Sequence, residues 1–513
     1  MSHPKLKRMF LIFPPSTSLA SWEPMVTMPM GIAYLAASAR QAGYEVGCLD
    51  CVVEAPYQET PVDDQISRYG LTYEQIMHRI RAFKPDAVGL SCIFSNQWPA
   101  VRELAGRIKA EMPEIPILCG GAHPTFLSEL CMKDAPLDYI LRGESEETLV
   151  DLLDRLRDGR PVTEVDGLVW REDGAVRKNE KTAYIHDLDR LPFPAHDLLD
   201  PERYFKLALP MAYDFISPRN IPIVTSRGCP CSCTFCSSTQ LWGKRYRVRS
   251  AENVLKEMDW LVETFGIKEL KFQDDNLTVN RDRARQIFQG MIDRPWHLHW
   301  NTPNGIAIWT LDEEMLGLMK KSGCFGITLA IESGSQEVLT KLIKKPLKLD
   351  KVREVNRIAR EKGISRAAYF IVGFPGETRE QIQQTVKFSR ELKLGGWALF
   401  IYNPLPGSEL YLESIRRGYI TEENFFQTGN QYFSTNISSE EWTGEELEAL
   451  IRREYAFSYF IAMLYNPWVM TRRYLLFLRY RPSFLKYFIV RTWRTLLLQL
   501  RQKRSAAKAQ PAG

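Results

Sequence analysis

The chain has 513 residues, 45% apolar and 25% charged, with a formal net charge of +5. That length suits about two to four domains around large cores, and the charge is too small to argue for a nucleic-acid partner. No segment offers about 20 uninterrupted apolar residues, so no membrane span is expected. The apolar run 9–13 behind the basic N-terminus is too short for a secretion signal. The ten cysteines are therefore read as belonging to a reducing, cytoplasmic compartment.

Residues 9–13, 45–49, 87–92, 115–119 and 139–141 read as short strands, with helical patterns at 30–42, 72–83, 99–112 and 146–157. This alternation predicts an α/β fold beginning with a doubly wound, Rossmann-like parallel sheet in residues 1–157. Such sheets bind ligands beyond the carboxyl ends of their strands. The segments there, Pro14-Pro15-Ser16, 91–96, 120–125 and 142–146, are rich in Gly, Ser, Pro and Asn, which is also plain loop composition. Residues 158–219 read as a linker, with a hairpin around Asp173-Gly174 and a stiff joint at Leu191-Pro192-Phe193-Pro194-Ala195.

A second alternating series starts at residue 220. Strands are expected at 221–225, 269–273, 297–301, 326–332, 367–372 and 397–402. Helices are expected at 252–265, 281–291, 312–321, 350–363 and 379–392. About six β/α units predict a partial or closed barrel over 220–410, with its chemistry at the carboxyl ends of the strands. Residues 411–513 form a helical C-terminal extension. Its 451–500 stretch interleaves aromatic and basic residues such as Tyr459, Trp468, Arg472, Arg473 and Tyr474. That mixture suits a membrane surface or a lid with snorkelling side chains, and the pattern leaves both open. Aromatics without a concentrated basic domain argue against nucleic acid.

The chemistry concentrates in Cys229-Pro230-Cys231-Ser232-Cys233-Thr234-Phe235-Cys236, where the first barrel strand ends. Zinc takes four ligands, usually in separated pairs, and here no second pair or nearby His pair follows. Cys229, Cys233 and Cys236 instead spell CxxxCxxC. A [4Fe–4S] cluster usually takes four thiolates, so three leave one iron open to a substrate or cosubstrate. Cys231 lies inside the loop and reads as a passive thiol. The other six cysteines are scattered and read as buried structural thiols.

The run from Val224 to Cys236 resembles the radical S-adenosylmethionine enzymes. The resemblance implies that Cys229, Cys233 and Cys236 hold the cluster and that S-adenosylmethionine chelates the open iron and yields a 5′-deoxyadenosyl radical. Phe272-Gln-Asp-Asp-Asn-Leu-Thr278 is similar to the family's second-strand motif and brings in Asp274. Leu329-Ala-Ile-Glu-Ser-Gly-Ser335 is similar to the fourth, with Glu332 at the cosubstrate's ribose or amino group. Tyr369 to Thr378 is similar to the fifth, with Gly373 and Pro375 beside the adenine. Asn403 to Glu409 is similar to the end of the sixth. Each alone has a plain reading as a turn, cap or βα loop.

Phe13-Pro-Pro-Ser16, Pro29 to Leu35, Ile117 to Thr125 and Arg142-Gly-Glu-Ser-Glu146 resemble the cobalamin-binding domain fused to many of these enzymes. The resemblance implies that Ser91, Gly120, Gly121 and Glu144 contribute to a cobalamin site. No DxHxxG motif occurs, and His123 is the one candidate beneath the cobalt, in a position that reads more simply as a loop residue. The family's commonest role implies methylation of an unactivated carbon, with oxidative cyclisation or rearrangement as the alternative. A non-catalytic cofactor or electron-transfer protein is the alternative of another class. The expected partners are a small molecule, hydrophobic if the C-terminal stretch touches lipid (a lipid, isoprenoid or tetrapyrrole), and an external one-electron reductant such as flavodoxin or ferredoxin.

Overall fold

The computed structural model describes residues 6–19, 26–63, 66–207, 215–421, 435 and 437–480. The first sheet has seven strands: β1 (Arg8–Phe13), β2 (Glu45–Asp50), β3 (Ala87–Ser91), β4 (Ile117–Gly120), β5 (Tyr139–Leu141), β6 (Leu168–Glu172) and β7 (Ala175–Lys178). Their order is β7-β6-β5-β4-β3-β1-β2. β1 to β5 run parallel, in the 2-1-3-4-5 order of a doubly wound sheet whose switch point lies between β1 and β3. The inner strands are almost wholly buried, as expected when helices cover both faces.

The predicted hairpin exists, but the sheet claims it. β6 pairs antiparallel with β5, and β7 with β6, so part of the 158–219 linker completes the N-terminal sheet. The joint that follows is stitched to both halves. Ala195 N–H donates to Ala33 O of the Met30–Gln41 helix at 3.0 Å. Phe193 stacks on Trp260 of the Ala251–Phe265 helix, centroids 5.9 Å apart. A small antiparallel sheet of Ser16–Leu19, Ile66–Tyr69 and Glu59–Pro61 stands where the sequence suggested only loop.

The second sheet contains β8 (Asn220–Ile223), β9 (Glu269–Phe272), β10 (His299–Ile306), β11 (Cys324–Glu332), β12 (Ser365–Val372) and β13 (Gly396–Ile401). They pair in sequential order and in parallel, which makes an open barrel of six β/α units. Trp300, Phe272 and Phe288 fill part of its core, with Phe288 stacked on Trp300 at 5.0 Å. Two helices, Gly444–Tyr465 and Pro467–Tyr480, follow the barrel. The expected stretch 481–500 lies outside the described residues. Among the described residues no helix is long and apolar enough to cross a membrane.

Candidate active site

β8 ends two residues before a short strand, Ser226–Arg227, which pairs with Arg247–Val248 and aims the chain into the cysteine loop. The loop is pinned at its middle. Thr234 N–H and Oγ1 donate to Ile343 O at 3.1 Å and Leu342 O at 3.0 Å, and Thr234 O accepts from Leu410 N–H at 2.9 Å. Cys229, Cys231, Cys233 and Cys236 are all half-buried.

The thiols already meet donors. Cys229 Sγ accepts from Asn276 Nδ2 at 2.7 Å and from Cys231 N–H at 3.5 Å, and Cys236 Sγ accepts from Ser238 N–H at 3.4 Å. Hydrogen bonding from Cys231 draws the Cys229 thiol down to about 7. Burial pushes Cys233 up to about 11, against the pull of Lys345, and Cys236 up to about 12. Among the described residues no three His, Cys, Asp or Glu side chains close on a point as a single metal ion needs. One thiol per corner iron does not need that convergence, and N–H···S bonds tune such clusters. The loop therefore fits a [4Fe–4S] cluster better than a mononuclear ion.

Glu332 ends β11 with a positive φ of 72° beside a register shift against β12. A non-glycine residue in that conformation costs about 1–3 kcal/mol and is typical of functional sites. Its Oε1 lies 3.0 Å from Lys345 Nζ, and each side chain is 10% exposed. Burial pulls Lys345 down, but Glu332 and Cys233 outweigh it and hold the ammonium above its ordinary value. Lys345 was invisible in the sequence as a site residue. It sits in an unmarked Lys344-Lys345-Pro346 run, and only the fold brings it to Glu332.

Asp274 and Gly373 each make contacts within the fold. Asp274 is buried and accepts from Thr225 N–H at 3.2 Å, Thr225 Oγ1 at 2.7 Å and Ser226 Oγ. It holds the approach to the cysteine loop in place. Burial raises it, with Arg283, Ser226 and Thr225 opposing. Gly373 has φ 84°, and a Cβ there would lie 2.6 Å from Leu447 and 3.5 Å from Trp442. Its missing side chain makes room for the C-terminal segment. Pro375 is buried beside it. Glu377 Oε2 closes this turn by accepting from Gly373 N–H at 2.6 Å and Phe374 N–H at 3.1 Å.

At the carboxyl edge of the first sheet, Ser91, Gly120 and Gly121 lie at the ends of β3 and β4 and are partly exposed. Gly121 has φ 116°, and a Cβ would meet Cys92 O at 2.3 Å, so no other residue fits. The loops after β1 and β3 are zipped by Thr17 Oγ1 donating to Asn96 O at 2.6 Å and Asn96 Nδ2 to Thr17 O at 3.2 Å. Between them, at the switch point, Ile93 and Phe94 stand 37% and 51% exposed. Apolar side chains offered at that edge fit a large flat ring such as a corrin. His123 does not face it. It is buried against Trp98 with Nδ1 3.0 Å from Ser95 Oγ, and burial pulls it down to about 3.

Glu144, expected at the cobalamin site, is buried and takes two guanidinium groups, Arg227 at 2.5 Å and Arg247 at 2.7 Å, plus Ile185 N–H at 2.7 Å. Glu146 takes the other arm of Arg227 at 2.5 Å. Tyr34 O–H donates to Val224 O at 3.3 Å nearby. All four charged side chains are at most 7% exposed. Arg227 is two residues before Cys229, so the end of β5 grips the root of the cysteine loop.

The B12 binding domain family matches residues 24–153 and the radical SAM superfamily matches residues 223–389. Cytidylyl-2-hydroxyethylphosphonate methyltransferase of Streptomyces wedmorensis is 35% identical, over 87% of this chain and 89% of its own. Anaerobic magnesium-protoporphyrin IX monomethyl ester cyclase of Rubrivivax gelatinosus is 28% identical, over 75% of this chain and 66% of its own. The radical S-adenosylmethionine methyltransferase TsrM of Kitasatospora setae, solved with cobalamin and a [4Fe–4S] cluster, superposes with TM-score 0.63 at 18% identity, over 80% of this chain and 75% of that one. The open barrel, the switch-point sheet and these likenesses agree: the chain belongs to the cobalamin-binding radical S-adenosylmethionine enzymes, the family of these methyltransferases and cyclases.

Proposed function

We propose that this enzyme methylates an unactivated carbon of a hydrophobic small molecule. In this reading Cys229, Cys233 and Cys236 hold the cluster. Glu332 and Lys345 take the amino and carboxylate groups of S-adenosylmethionine, each replacing its present partner with an opposite charge on the cosubstrate. Ser91, Gly120 and Gly121 line the cobalamin edge together with Ile93 and Phe94. When bound, cluster and cosubstrate supply a 5′-deoxyadenosyl radical that takes a hydrogen atom from substrate, and cobalamin supplies the methyl group. Asp274 and Thr234 hold the cysteine loop still, and the half-buried site limits quenching by water.

The observation that carries this reading is the Glu144/Glu146–Arg227 clamp, which locks the cobalamin edge to the root of the cysteine loop. Two cofactors acting on one substrate need such fixed proximity. Methyl transfer is favoured over cyclisation because the methyltransferase likeness covers 89% of that relative and the cyclase likeness 66%. An external reductant of flavodoxin or ferredoxin type would deliver the electron to the half-exposed loop in the cytoplasm. The exposed aromatic residues of the C-terminal helices support a hydrophobic substrate and peripheral membrane contact. The test is to feed the reduced, reconstituted enzyme S-adenosylmethionine with a deuterated methyl group, together with a lipid extract of the source cells. Cytidylyl-2-hydroxyethylphosphonate serves as a polar comparison. A trideuteromethyl group in a lipid product supports the reading. Cosubstrate cleavage with product that carries no label overturns methylation.

A further inference from the structure

β9 ends at Phe272, and the polar residues Asp274, Asp275 and Asn276 that follow it each reach a different part of the cysteine loop. Asp274 fixes the approach. The other two meet the loop itself, on either side of its thiols. Asn276 is 5% exposed, and its Nδ2 donates to Cys229 Sγ at 2.7 Å. Asp275 Oδ2 accepts from Ser238 Oγ at 2.5 Å, and the same Ser238 offers its N–H to Cys236 Sγ at 3.4 Å.

Asn276 is held in that pose. Its carbonyl accepts from Tyr246 O–H at 2.7 Å. Tyr246 stands one residue before the Arg247–Val248 strand, which pairs with Ser226–Arg227 at the root of the loop. Turn chemistry accounts for Asp and Asn after a strand, but it does not require an amide buried against a thiol. A buried amide N–H needs an acceptor, and here the acceptor is the sulfur of a residue assigned to the cluster.

The two contacts differ in sign. An N–H aimed at a ligand sulfur stabilises the added negative charge of a reduced cluster and raises its potential. A carboxylate close to the cluster opposes that charge and lowers the potential. The charge of Asp275 is felt at both Cys229 and Cys236. Asp275 is exposed, so water and salt screen part of its effect, whereas Asn276 acts by direct contact.

We propose that Asn276 and Asp275 are an opposed pair that sets the reduction potential of the cluster, Asn276 making it easier to reduce and Asp275 harder. The inference rests on Cys229, Cys233 and Cys236 being the ligands, as proposed above, and adds two residues that tune what they hold. The step that the pair biases is a one-electron transfer. The external carrier is oxidised, the cluster is reduced, and no bond forms or breaks. Too low a potential keeps the carrier from charging the cluster, and too high a potential leaves a weak reductant for the cosubstrate.

The test is an anaerobic redox titration of the reconstituted full-length enzyme without S-adenosylmethionine. The signal is the electron paramagnetic resonance of the reduced cluster, with iron and sulfide content as the measure of loading. Asn276→Leu keeps the volume and removes the donor. At a fixed potential its ratio of reduced to oxidised cluster should fall about five- to tenfold, the difference between a charge-assisted and a neutral hydrogen bond. Tenfold is about 59 mV for one electron. Asp275→Asn should raise the ratio about threefold, less because the lost charge is screened. Shifts of opposite sign at equal loading support the pair, since a loosened loop would move both variants the same way. Shifts of the same sign, or none, overturn it. If Asn276→Leu takes up no cluster, Asp275→Asn decides alone, and an unchanged or lowered ratio overturns the proposal. A wild type that takes up no iron overturns the ligand assignment and this inference together, whereas a loaded wild type with unshifted variants overturns this inference only. The titration needs no turnover, so its outcome is independent of whether methyl transfer is found.

Discussion

Replacing Arg227 with Met should strand one carboxylate and leave another satisfied. Glu144 keeps Arg247 at 2.7 Å and the Ile185 N–H. Glu146, 7% exposed, pairs with no other cation among the described residues. Breaking a buried pair from one side costs about 3–5 kcal/mol because the remaining charge is left without compensation. The cost should depend on pH. In the wild type, burial pushes Glu146 up, but Arg227 outweighs it, so the carboxyl sits below its usual range. Its stabilising contribution is present above the unfolded value of about 4.3 and lost as pH falls through the lower folded value. Without Arg227, burial dominates and the folded value rises, so the variant loses stability as pH climbs past about 4.3. The gap between the two proteins should therefore widen from pH 5 to pH 8, measured as the denaturant midpoint by tryptophan fluorescence. Adding Glu146→Gln should recover more than about 1 kcal/mol as coupling. Because Arg227 precedes Cys229 by two residues, iron and sulfide content after reconstitution should fall too. A variant within about 0.5 kcal/mol of wild type, or an equal gap at both pH values, would refute the clamp.

Cys233→Ala should abolish both the visible absorbance of the reconstituted cluster and cosubstrate cleavage, whereas Cys231→Ser should keep most of both; loss of the cluster in Cys231→Ser would make Cys231 a ligand. Lys345→Gln should retain the cluster but weaken S-adenosylmethionine binding about 10- to 100-fold, the worth of a charge-assisted hydrogen bond, as read by calorimetry; unchanged affinity removes Lys345 from the site. Burial pushes Glu377 up to about 8, so the fold binds an extra proton between about pH 4.3 and that value and loses stability as pH rises through the window. Glu377→Gln should flatten that slope in thermal melts, and an unaltered slope assigns it to another group. Gly373→Ala should destabilise by about 1–3 kcal/mol through overpacking and a positive φ, with part of the loss restored by Leu447→Ala, whose Cδ1 lies 2.6 Å from the added methyl.

Local pattern was enough to place most strands and helices of the two main sheets. Apolar runs such as Phe10 to Phe13 and Gly396 to Ile401 mark buried parallel strands, and capping residues mark helix starts, as at Thr72, Ser250 and Thr378. What sequence could not show was pairing at a distance. The hairpin β6–β7 was visible as a hairpin, but its partner β5 is a tertiary choice. The same holds for charge. Glu144 and Asp274 were read as cofactor residues because the motifs around them resemble those of the cobalamin-binding and radical S-adenosylmethionine domains. In the fold they also bond to Arg227, 83 positions away, and Thr225, 49 positions away. Local spacing carries no record of such pairs.

These reassignments bear on how the enzyme can run radical chemistry at all. A site that makes a carbon radical must hold its reacting groups still while remaining open to substrate. Carboxylates that line a strand edge could serve either need, and here most serve the first. Glu144 and Glu146 clamp the root of the cysteine loop, Asp274 fixes its approach, and Glu377 closes the turn after β12. Glu144, Glu146 and Asp274 are engaged by guanidinium, hydroxyl or backbone groups, and Glu377 spends one oxygen on the backbone of its turn. Glu332 is the exception: its partner Lys345 is a side chain that can exchange, and its own backbone is strained. In the function proposed above, the pair is an oppositely charged counterpart for a zwitterion, with the positive member also acting on Cys233. Binding the cosubstrate would then separate Glu332 from Lys345 and turn both toward the cluster side of the cleft. That exchange, rather than a rearrangement of the rigid clamp, is where the free energy of cosubstrate binding can be coupled to the cluster.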